Sequence, residues 1–124
     1  MLERARLQVV LVTHCNHARE IDDMCKQQLI ALKEAGVTLL NQSVLLRGVN
    51  DNADTLKTLS QRLFECGVLP YYLHLLDRVS GTTHFEVTEH QAQAIYKQLL
   101  ATLPGYLVPK LVREEPGQTN KSPV

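Results

Sequence analysis

Two four-residue joints, EAGV at residues 34–37 and ECGV at residues 65–68, stand 31 positions apart. Each follows a segment with apolar residues at three- and four-residue steps and precedes an apolar run too short for a helix. A glycine just past a helix lets the backbone turn through positive φ and leave as a strand, so the repeated joint imposes an α/β rhythm on the chain.

The remaining segments fit that rhythm. QVVLVTH, residues 8–14, is rich in β-branched residues and reads as a strand buried on both faces. From about Arg19 to Ala35 the residues Ile21, Met24, Cys25, Leu29 and Leu32 predict one amphipathic helix. VTLLNQSVLLRG, residues 37–48, returns to strand character. Asn50, Asp51 or Asn52 then caps a helix with Leu56, Leu59, Leu63 and Cys66 on one face. VLPYYLHLLD, residues 68–77, is a third strand. Thr88 and Gln91 form a capping box for a helix bearing Ala92, Ile95, Leu99 and Leu103, ended by Pro104-Gly105. YLVPKLV, residues 106–112, is extended.

A strand–helix alternation of this kind implies right-handed crossovers and a mainly parallel sheet, either a barrel portion or an open wound sheet. No GxGxxG or P-loop fingerprint supports a wound-sheet nucleotide binder, so the expected class is α/β, a portion of a (β/α) barrel. Ligands in either architecture sit at the carboxyl ends of the strands. Those ends carry Thr13, His14, Asn16 and His17; Asn41, Gln42 and Ser43, then Arg47 to Asp51; and His74, Asp77 and Arg78.

Composition removes several other classes. At 124 residues and 44% hydrophobic the chain has the size of one globular unit, and 13 basic residues balance 13 acidic ones. A formal net charge of zero gives no field to gather nucleic acid or an anionic membrane. No apolar run approaches the ~20 residues of a membrane span, and MLERARLQVV lacks the features of a signal peptide. The expected compartment is the cytosol. Cys15, Cys25 and Cys66 are spaced for neither a disulfide framework nor a metal cluster, and Cys25 and Cys66 fall on helix stripes as small buried residues.

Several motifs carry two readings. HCNH, residues 14–17, offers two imidazoles and a thiol, which suggests zinc; without a second close-spaced ligand pair, hydrogen bonding at a strand end or contact with another ligand is favoured, and no metal site is assigned. Asp77 at a strand end is either a carboxylate that binds a substrate cation or serves as a base, or a partner of Arg78 or an exposed rim charge. Glu114 and Glu115 read as surface charges, and Lys121 as a tail lysine or a lysine presented by a loop.

At THCNH, NQSVLLRGVND, LPYYLHLLD and GYLVPKLVREEPGQTNKSPV, in that order, the chain resembles the C-terminal part of the lysine 2,3-aminomutases. These are radical enzymes that use S-adenosyl-L-methionine, a [4Fe-4S] cluster and pyridoxal 5′-phosphate. YYLHLLDRVSGTTHF and GYLVPKLVRE most resemble the branch that makes (R)-β-lysine for elongation factor P. The resemblance implies a partial barrel, with residues 1–113 as its C-terminal half and residues 114–124 as a cofactor-lysine loop. It implies that Lys121 holds pyridoxal 5′-phosphate through a Schiff base. It further implies that Asp77 and Glu114 bind the side-chain ammonium of L-lysine, and that Gln42 and His14 lie toward the adenosyl ligand.

Three departures accompany it. The glycine-rich approach to the cofactor lysine is reduced to PGQTNK, and Glu114 stands where a related branch has aspartate. The CxxxCxxC motif that binds the cluster is absent from this sequence. The expectation is therefore a piece that is inactive alone, whose QVVLVT edge pairs with the missing N-terminal barrel half or with a second copy. The alternative is a truncated or separately encoded module that binds or supports without catalysis.

Overall fold

A computed structural model describes residues 8–75 and 87–113, together with the backbone of residues 122–123. Strand β1 (Val10–Thr13) leads through a 3-10 turn (Ala18–Glu20) into helix α1 (Asp23–Glu34). There follow β2 (Thr38–Leu45), α2 (Ala53–Glu65), β3 (Leu69–Leu75), α3 (Glu89–Thr102), a second 3-10 turn (Gly105–Leu107), β4 (Lys110–Arg113) and the short β5 (Ser122–Pro123).

Local chemistry explains the boundaries. Asp22 caps α1 by accepting from the Cys25 amide, Asn52 caps α2 by accepting from the Thr55 amide, and Thr88 with Gln91 closes the capping box of α3. The two repeated joints end their helices in one way. Val37 N–H donates to the Leu32 carbonyl at 3.1 Å and Gly36 N–H to Lys33 at 3.0 Å; Val68 N–H donates to Leu63 at 2.9 Å and Gly67 N–H to Phe64 at 2.9 Å. This is the six-to-one, five-to-two pattern of a glycine-terminated helix, and it requires the observed φ of 96° at Gly36 and 82° at Gly67.

The sheet order is β1-β2-β3-β4-β5, with β1 to β4 parallel and β5 antiparallel to β4. Spatial order follows chain order with no reversal, which is the topology of a barrel wall and not of a doubly wound sheet. The three described α-helices cover one face. Leu39 packs with Leu29, Leu59 and Leu63, while Leu45, Leu73 and Leu75 pack with Leu56, Ala92 and Leu99. Truncating a core leucine such as Leu63 to alanine costs about 2–5 kcal/mol.

Residues alternate across β2 as they should. Leu39, Asn41, Ser43 and Leu45 are buried under the helices, whereas Leu40, Gln42 and Val44 are only half-buried on the opposite face. On β3 that alternation survives through a bulge. Asn41 pairs with Pro70 but Gln42 pairs with Tyr72, so Tyr71 is an extra residue. Proline has no amide to give a ladder, and the irregularity sits beside it. Without the extra residue, Tyr72 and His74 would turn under the helices and Leu73 would turn out.

Two expectations are corrected. QVVLVTH is not buried on both faces: β1 pairs only with β2, and Val9, Val10 and Leu11 are 46%, 53% and 40% exposed. It lies at the sheet edge, where no second strand covers it among the described residues. The single helix from Arg19 is broken, because Ile21 is extended and Asp22 restarts the helix as a cap. Met24 is consequently exposed, and Leu29 alone is buried within α1.

Candidate functional site

At the carboxyl ends of β1 and β2 the polar residues mainly hold backbone. Thr13 Oγ1 donates to Asn41 Oδ1 at 2.7 Å, and the same oxygen accepts the Cys15 amide at 2.9 Å. Asn41 Nδ2 returns a bond to the Cys15 carbonyl at 3.1 Å. Once β1 has ended, Asn16 Oδ1 takes the Val44 amide at 2.9 Å, replacing the ladder bond a longer strand would make. Asn50 is fully buried: its Oδ1 accepts the Leu46 amide at 2.8 Å, and its Nδ2 donates to the carbonyls of Asn16 at 2.8 Å and Val44 at 2.9 Å.

HCNH is thereby accounted for at three of its four positions. His17 Nδ1 accepts the Arg19 amide at 3.1 Å, and Glu20 accepts the amides of Asn16 and His17 at 2.7 and 2.8 Å. Cys15 packs against the cluster around Ile21 and Leu59, together with Cys25, and Cys66 is fully buried there. Burial, and secondarily the Glu20 carboxylate, push the Cys15 thiol up to about 11; burial likewise raises Cys66. Among the described residues no group of three or more His, Cys, Asp or Glu is placed to hold a metal. His14 is exposed at the end of β1.

The open face of the sheet carries a different set. Gln42, Tyr72 and Lys110 share one row across β2, β3 and β4, and Val44, His74 and Val112 share the next row toward the carboxyl ends. His74 Nε2 lies 3.2 Å from Gln42 Oε1, and its ring centroid is 5.8 Å from that of Tyr72. The bulge brings Tyr71 and Tyr72 together at 4.4 Å, with Lys110 Nζ 5.6 Å from the Tyr71 centroid. A hydrogen bond with Tyr71, and then burial, raise the Tyr72 phenol above its ordinary value. Toward β4 this face closes, where Val112 is buried.

Of the residues expected in the site, Gln42 faces the open side of the sheet and His14 follows the end of β1 without joining it. Asp77, Glu114 and Lys121 lie outside the described residues, as does Arg78. Their described neighbours are informative: Arg113 pairs with Ser122 across β4 and β5, and Arg113 also forms an ion pair with Glu89 at the start of α3. The pairing of His74 with Gln42 and the Tyr71–Tyr72 contact were not read from sequence. A period-two reading places Gln42 opposite the core, but the bulge that brings His74 to the same face leaves only Pro70 as a trace.

A cleft of about 430 Å³ lined by Lys33, Val37, Phe64 and Leu69 lies at the amino ends of β2 and β3. It is at the wrong end of the strands for a barrel ligand site.

No protein-family model matches the chain. Over 121 residues it is 54% identical to the L-lysine 2,3-aminomutase of Escherichia coli K12, covering 98% of this chain and 35% of that protein. It is 54% identical over 122 residues to the protein of that name from Haemophilus influenzae, covering 98% of this chain and 36% of the relative. With the one from Clostridium subterminale it shares 40% identity over 116 residues, 94% of this chain and 28% of the relative. The chain thus spans about a third of the length of the curated relatives it matches.

Proposed function

We propose a function from one premise, that the chain belongs by sequence to the lysine 2,3-aminomutase family: it forms the C-terminal part of an L-lysine 2,3-aminomutase. The observation that carries this reading is 54% identity across 98% of the chain. The reaction is the conversion of L-lysine to (R)-β-lysine, with elongation factor P as the downstream acceptor, in the whole protein and not in these 124 residues.

The roles divide as follows. Lys121 anchors pyridoxal 5′-phosphate covalently. Asp77 and Glu114 hold the ε-ammonium of L-lysine, since two carboxylates select a substrate that carries that cation. Gln42 and His14 lie toward the S-adenosyl-L-methionine side. The Arg113–Ser122 pairing supports this arrangement, because it closes β4 and β5 between the sequence positions next to Glu114 and Lys121. When bound, pyridoxal 5′-phosphate would supply a conjugated π-system that stabilises radical character beside the substrate nitrogen, and S-adenosyl-L-methionine with the cluster would supply the radical. The chain's own residues orient lysine and exclude water.

The cluster does not fit this chain. Cys66 is buried in the core under the helices, Cys15 and Cys25 pack partly buried against it, and burial raises the Cys15 and Cys66 thiols. On this reading its ligands come from the part of the family's length that this chain does not match. A second reading follows for the 124 residues alone, a non-catalytic α/β module that completes a larger barrel.

The test is a chimaera in which this chain replaces the matching third of the Escherichia coli relative. Borohydride should fix pyridoxal phosphate to Lys121, and Lys121→Ala should abolish the adduct. Labelling at Lys110 in place of Lys121 overturns the assignment.

A further inference from the structure

We propose that His74 is a positioning residue for Gln42. Its imidazole holds the Gln42 carboxamide so that the amide NH2 faces the open side of the sheet as a donor to an acceptor oxygen of the adenosyl ligand. The identity of that ligand rests on the function proposed above; the positioning itself does not.

Four observations carry it. The bulge at Tyr71 turns His74 onto the same face as Gln42, one row nearer the carboxyl ends where ligands bind parallel strands. His74 Nε2 stands 3.2 Å from Gln42 Oε1. The ring's tautomer and the amide's orientation are linked: a protonated Nε2 holds the carboxamide oxygen toward the imidazole and turns the NH2 outward, whereas a bare Nε2 would hold the amide the other way round. Among the described residues the Gln42 side chain makes no other hydrogen bond, which leaves its two amide N–H donors unclaimed. The Tyr72 ring packs against the imidazole at 5.8 Å and limits its rotation.

An unsupported glutamine on a strand has a freely turning terminal amide and presents oxygen and nitrogen alternately. A fixed one discriminates: it binds a hydroxyl, carboxylate or carbonyl oxygen and rejects a donor. The imidazole therefore sets the polarity of the site without touching the ligand.

Nitrogen-15 NMR of the chain tests the positioning directly. Nε2 of His74 should be the protonated ring nitrogen, and the Gln42 side-chain amide should give one dispersed pair of proton signals. In His74→Phe that pair should collapse toward free-glutamine positions while the Asn41 and Asn50 amides stay in place, and His74→Gln, which keeps a donor, should restore it. An unprotonated Nε2 in the unsubstituted chain, or Gln42 signals unmoved in His74→Phe, overturns the proposal.

In the chimaera, His74→Phe and Gln42→Ala should each raise KM for S-adenosyl-L-methionine about tenfold, the scale of one hydrogen bond, and the double variant should be no worse than Gln42→Ala. Additive losses overturn positioning. If neither substitution moves KM while the NMR result holds, the adenosyl reading fails and the positioning stands.

Discussion

Asn50→Ala isolates what the buried amides of the rim contribute. Asn50 is fully buried and bonds three backbone groups: the Leu46 amide and the carbonyls of Asn16 and Val44, all at 2.8–2.9 Å. Alanine leaves one donor and two acceptors without partners. At a net value of about 1 kcal/mol per bond, with extra cost for any group that water does not reach, the loss is roughly 2–4 kcal/mol. For a domain whose stability is on the order of 5–15 kcal/mol that is a large share, and with a urea m-value of ~1–3 kcal/mol/M the midpoint should fall by about 1–2 M. Asn50→Asp should be worse at neutral pH, because a carboxylate then faces two carbonyl oxygens. Equilibrium unfolding followed by circular dichroism measures both. A loss below about 1 kcal/mol for Asn50→Ala would refute the structural role.

Three further outcomes are expected. Burial and Glu20 raise Cys15 to about 11, so its contribution to stability is complete below the ordinary thiol value of 9.0 and is lost as pH rises through about 11. Its alkylation by iodoacetamide, followed by mass spectrometry, should accordingly be slow at pH 8 and still climbing at pH 10; a plateau by pH 9 would contradict this. In the chimaera, Asp77→Asn should weaken L-lysine use by about tenfold or more, since a charged hydrogen bond contributes roughly 1.5–3 kcal/mol, with little change in pyridoxal phosphate binding. Unchanged lysine kinetics would sink the ammonium clamp. The chain alone should self-associate with rising concentration in sedimentation, and Leu11→Lys at the exposed edge should suppress this; a monomer at all concentrations would count against edge pairing.

Short-range chemistry was legible in the sequence, and long-range pairing was not. Gly36 and Gly67 announce helix ends because only glycine enters positive φ cheaply, and the Thr88–Gln91 box announces a start because both its bonds span three residues. The repeated joints imply parallel strands with crossover helices but leave a barrel portion and an open wound sheet both open; the sequential strand order emerges only in the folded sheet. The bulge at Tyr71 depends on which β2 residue meets which β3 residue, a choice made by packing against both helices, and Pro70 alone hints at it.

The rim shows why residue type alone does not assign a site. Asparagine and histidine at strand ends bind ligands, but they also close turns, and sequence spacing cannot separate the two uses. Distance separates them: Asn16, His17, Asn41 and Asn50 are consumed by backbone groups within about 3.1 Å, whereas the Gln42 carboxamide has one partner and faces the open side of the sheet. A rim held by its own amides is rigid before any ligand arrives, and a ligand site on a rigid rim loses little to ordering on binding. The polar residues that do not touch a ligand thus set the precision of those that do.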